Sequence, residues 1–121
     1  MAIITRHQVP INLSGENLRG ADLRGVRLSG ANMNGADLRG TNLRGTNLSG
    51  TQMRDTDLSG ADLRGTDLRN ADLSGAHLRD TDLSDTDLRN ADLRNADLRG
   101  VNLTDARLSG ANMNGARWSR L

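Results

Sequence analysis

Cysteine, lysine, phenylalanine and tyrosine are all absent from the 121 residues. Without cysteine there is no disulfide staple and no thiolate for redox or nucleophilic chemistry. Without lysine, the positive charge rests on 16 arginines. Trp118 is the one aromatic residue, so no row of rings exists on which nucleic-acid bases would stack. Pro10 is the single proline, and nothing after it removes a backbone donor. No apolar run approaches the length of a membrane span. The start, MAIITRHQVP, lacks the apolar stretch of a secretory signal, so a soluble cytoplasmic protein is expected. The mean hydropathy of −0.60 reads as disorder on composition alone.

Periodicity overrides composition. From Ile11 to Arg120 the chain divides into 22 segments of five residues, INLSG, ENLRG, ADLRG and so on to ARWSR. The centre of each segment is Leu in 18 cases, with Met33, Met53, Met113 and Trp118 as the exceptions. Two residues earlier stands Ala, Thr, Val or Ile, with Glu16 as the one charged departure. Asp or Asn usually separates the two, and Arg or Ser usually follows the centre. The segment closes with one of the 14 glycines, or with Asn70, Asn90, Asn95, Asp55, Asp80, Asp85 or Asp105. These are the residue types that tolerate positive φ, which the third position of a type II turn requires. Each segment therefore reads as a very short strand and a tight corner.

A chain that turns the same way every five residues must coil. No segment buries its Leu alone, but stacked coils do so by forming parallel ladders. The pattern supports 20 residues, or four segments, per coil. Met33, Met53 and Met113 then fall on one face with Leu13, Leu73 and Leu93, and RLSGANMNGA recurs at 27–36 and 107–116. Four segments per coil give about 5.5 coils, a rod about 25 Å long at the usual strand spacing. The fold class is an all-β parallel β-helix over residues 11–121. Residues 1–10 form a leader whose Ile3, Ile4 and Val9 are placed to cover the first coil.

The segments A(D/N)LXX, as in ADLRG and ANMNG, resemble the pentapeptide-repeat protein family, and the match covers Ile11 to Arg120. The resemblance implies a right-handed quadrilateral β-helix. The centre and the residue two before it point inward and the other three positions outward. It also implies a class of partner, because some members bind DNA gyrase and protect it from quinolones or toxins by mimicking DNA.

Such a mimic needs a strongly negative face. Residues 1–50 carry +3, residues 51–98 carry −5 and residues 99–121 carry +3. The acidic waist centres on Asp80, Asp82, Asp85 and Asp87, the candidate acidic surface. No single face is strongly acidic, and direct nucleic-acid binding is not expected because Asp stands beside each Arg row. A filled rod offers no concave catalytic site. Neither catalytic nor cofactor-binding residues are assigned. His7 and His77 lie far apart without cysteine, so no metal site is assigned either. Repeat arrays need covered ends. The last coil is expected to pair with a second copy through Trp118, Leu121 and Met113, giving a homodimer. The sequence thus reads as a non-enzymatic structural or protein-binding solenoid. A gyrase-directed DNA mimic and an engineered consensus-like repeat protein are the alternatives.

Overall fold

The computed structural model describes residues 11–119. The expected leader, Met1 to Pro10, lies outside the described residues, as do Arg120 and Leu121.

Residues 20 apart pair as parallel bridges. One column runs Asn12, Asn32, Gln52, Asp72, Asp92, Asn112, and a second runs Asn17, Asp37, Asp57, His77, Asp97, Arg117. Four segments therefore separate each residue from the one stacked on it. The expected short strands are reduced to single bridge residues. Two of every five residues belong to the corner, which leaves only the residue before the centre flanked by ladder bonds on both sides.

The corners follow the expected chemistry. Every fifth residue from Gly15 to Gly115 has positive φ, including Asp55 at 57° and Asn70 at 62°. The carbonyl of each centre accepts the amide three residues on, as in Glu16 N to Leu13 O at 3.1 Å. Asn and Asp reach this left-handed region at lower cost than other side chains, and Gly at none.

The core is a stack of single side chains. Every centre from Leu28 to Leu98 is no more than 2% exposed. Burying each such side chain contributes about 1.5–3 kcal/mol. The threonines two residues before a centre are buried as expected, and most satisfy their hydroxyls locally. Thr41 Oγ1, for example, donates to Leu38 O at 2.8 Å. The first coil is less enclosed. Leu13, Leu18 and Leu23 are only partly buried, and Glu16 is exposed there. The charged departure from the inward pattern thus sits where the core is open.

One break in the ladder has no counterpart in the repeat pattern. Asn47 pairs with Asp67 above it, yet forms no bridge to Arg27 below. The bonds expected from Leu28 N to Asn47 O and from Asn47 N to Val26 O are both missing among the described residues. Val26 is 38% exposed at this point. Thr46, one coil above Val26, carries the one buried hydroxyl without a partner among the described residues. Amide exchange reports such local gaps. The Asn47 amide is expected to exchange at least about tenfold faster than those of Asn42 and Gln52, which donate to Ala21 O and Ala31 O at 2.9 Å. Equal protection of the three amides in a hydrogen-exchange NMR series would show the ladder to be continuous.

Candidate functional site

Each segment has five backbone amides. In the segment Ala31–Gly35, Ala31 N closes the turn, Asn32 N donates to the coil below, and Met33 N and Gly35 N donate to the coil above. The amide of Asn34 is left over, and Asn32 Oδ1 accepts it at 3.0 Å. The same closure recurs at Ser14, Arg24, Ser59 and Thr104, among others. This explains the Asp or Asn before each centre. Its side-chain oxygen satisfies a donor that neither turn nor ladder reaches.

Where Asp precedes the centre and Arg follows it, the same carboxylate takes a two-pronged arginine. Arg64 Nε donates to Asp62 Oδ1 at 2.9 Å, and its Nη2 donates to Asp62 Oδ2 at 2.6 Å. Forks of this kind join Arg24 to Asp22, Arg39 to Asp37, Arg69 to Asp67 and Arg89 to Asp87. They also join Arg94 to Asp92 and Arg99 to Asp97. Several forks lean onto the next coil, as Arg39 does toward Asp57 at 3.7 Å and Arg64 toward Asp82 at 3.7 Å. The arginine fork holds the carboxyls of Asp22, Asp37, Asp87 and Asp97 down to about 2. The same cause lowers those of Asp62, Asp67 and Asp92.

The candidate acidic residues do not stack. Asp80 and Asp85 occupy successive corners, while Asp82 and Asp87 lie on successive sides. Asp87 is engaged by the Arg89 fork, and Asp82 accepts from Ser84 and faces Arg64. The Asp80 carboxylate stands over Gly100, in the space a Cβ there would need. At the other candidate surface, Trp118 is 48% exposed and Met113 is partly buried. Leu121 lies outside the described residues.

A concavity that the sequence reading did not single out lies on the side carrying His77. It measures about 490 Å³ and is lined by Asp57, Ser59, Gly75, His77, Arg79, Asn95, Asp97, Arg99 and Arg117. The signal was present as a substitution. His77 is the only histidine in a column otherwise held by Asn, Asp and Arg.

The forks have a pH signature. Unfolded aspartates titrate near 3.9, whereas four of the forked ones titrate at about 2 in the fold. Their contribution is fully present above about pH 4 and is lost as pH falls toward about 2. The melting temperature is expected to drop across that window, and to drop less in high salt, which screens exposed pairs. A melting temperature independent of pH there would show that the forks leave stability untouched.

The geometry agrees with what comparison with known proteins finds. A family model for pentapeptide repeats, in 8 copies, matches residues 11–40, 36–75 and 81–120. The chain is similar to the crystal structure of Rfr23, a pentapeptide repeat protein from the cyanobacterium Cyanothece 51142. Identity is 30% over 89% of this chain and 88% of that one, with a TM-score of 0.87. A pentapeptide repeat protein from the Arabidopsis thaliana thylakoid lumen is 32% identical over 86% of this chain and 66% of that one, with a TM-score of 0.36. QnrB1, a plasmid-mediated fluoroquinolone resistance protein, is 23% identical over 90% of this chain and 60% of that one, with a TM-score of 0.38. No curated protein sequence matches the chain. With the period, the corners, the bridges 20 residues apart and the family match in agreement, the chain belongs to the pentapeptide repeat family and is a right-handed β-helix.

Proposed function

We propose that this chain is a non-enzymatic structural or protein-binding solenoid, a quadrilateral rod of about 5.5 coils acting in the cytoplasm. One observation carries the reading. Many polar side chains outside the core are tied to a neighbour in their own coil or the next, so the sides present ordered rows of Asp, Asn, Ser and Arg. Ordered rows of this kind suit recognition of a protein surface, because little side-chain freedom is lost on docking. Residues 51–98 keep a net charge of −5 even with the forks, but their aspartates are spread over all four bridge columns, which argues against a single strongly acidic DNA-like face. Among the described residues, no helix is long and apolar enough to cross a membrane.

Arg44 and Arg54 follow Asn42 and Gln52 in place of Asp, and both are exposed. An immobilised chain is expected to capture a saturable protein partner from the source lysate. A variant carrying Arg44→Glu and Arg54→Glu, with unchanged circular dichroism, is expected to lose that partner. Equal capture by both proteins would defeat this reading. Inhibition of purified gyrase in a supercoiling assay at micromolar protein would replace it with a topoisomerase-directed one.

The reading includes a homodimer through the last described coil. Support comes from Leu103, Leu108 and Met113, which are only partly buried, and from the exposed Trp118. Light scattering at tens of micromolar is expected to give twice the chain mass of 13.0 kDa, and Trp118→Glu to return the single-chain mass. A single-chain mass for the unaltered protein at that concentration would remove the dimer.

A further inference from the structure

The concavity around His77 combines three departures from the repeat. At position 77 the usual Asp or Asn is replaced, so Arg79 has no fork partner in its own segment. The Arg79 backbone amide, which elsewhere would be capped from that position, has no acceptor among the described residues. Arg117, two rungs above His77 in the same column, likewise makes no ion pair within 4 Å among the described residues.

The two carboxylates that line the hollow are engaged elsewhere. Asp57 Oδ1 accepts from the Ser59 amide at 3.1 Å and from its hydroxyl at 2.7 Å, while Asp57 Oδ2 faces Arg39 at 3.7 Å. Asp97 is only 7% exposed and is held by the Arg99 fork. Ser59 also creates the space, since Arg39 and Arg99 occupy the equivalent place elsewhere on this side.

What remains open to solvent is one guanidinium with its own amide, a second guanidinium and an imidazole. All three residues are exposed, and the hollow of about 490 Å³ has the size of a small-ligand site. We infer that this hollow binds an oxyanion of the phosphate class, carried on a small phosphomonoester. Arginine forks match the geometry of phosphate oxygens, and a free backbone amide adds a further donor. The His77 ring adds an N–H donor to the same hollow.

The test uses the full chain. Inorganic phosphate is titrated at pH 7 and followed by the Arg79 amide and His77 ring signals in NMR. A saturable one-site curve is expected. Arg79→Gln should weaken it at least about tenfold, while Arg44→Gln, on another side of the coil, should leave it unchanged. His77→Asn, which keeps both guanidiniums, is expected to retain binding. Circular dichroism establishes that each variant is folded. Non-saturating shifts, or equal losses from Arg79→Gln and Arg44→Gln, would reduce the effect to general charge and overturn the site.

Discussion

The leftover amide is the constraint on which the rest of this molecule hangs. A turn every five residues uses one backbone donor, and stacking uses three more. The fifth lies at a corner, too far from either ladder to pair. Left bare in every segment, it would carry a desolvation cost repeated along the whole rod. An Asx side chain two residues earlier removes that cost locally. The outward Asp or Asn before most centres is therefore part of the backbone's own hydrogen bonding.

That duty shapes the electrostatics. A carboxylate recruited to cap an amide sits at a fixed place and angle, so an arginine two residues on forks onto it with little freedom to lose. The next coil repeats the pair one rung away, and the forks lean across the gap. Each fork is a neutral pair, although residues 51–98 as a whole retain a net −5. Segments that lack the carboxylate, at His77 or Arg117, consequently stand out as positive features against a compensated background.

Much of this was legible in the sequence. Leu63 as a buried centre, Thr66 as inward filler and Asn70 as a left-handed corner follow from spacing and from φ preference alone. Glu16 was recognisable as a departure, and its exposure in the first coil gives the departure a place. The break between Arg27 and Asn47 was not legible, because Arg107 and Arg117 occupy equivalent positions and do pair. A local failure of the ladder depends on backbone register, which residue identity does not encode. His77 was visible but was weighed only as a metal ligand. Its consequence lies in what it fails to do for Arg79, and that emerges once the amide hydrogen bonds are traced.

The ladder also has a sense of direction. Centre and corner amides donate toward the C-terminal side, so the amides of Leu103, Leu108 and Met113 find no acceptor above them among the described residues. The opposite end shows carbonyls at the corresponding places. The two ends of the rod are thus chemically unlike, as the two ends of a polar filament are. Each segment points two amides and one carbonyl toward the C-terminal side, so a twofold pairing of those ends meets an excess of donors and relies on side chains such as Trp118. A head-to-tail contact would instead continue the main-chain ladder, and that arrangement has no closing symmetry to stop it. Whatever occupies the C-terminal coil therefore governs whether the rod stays finite.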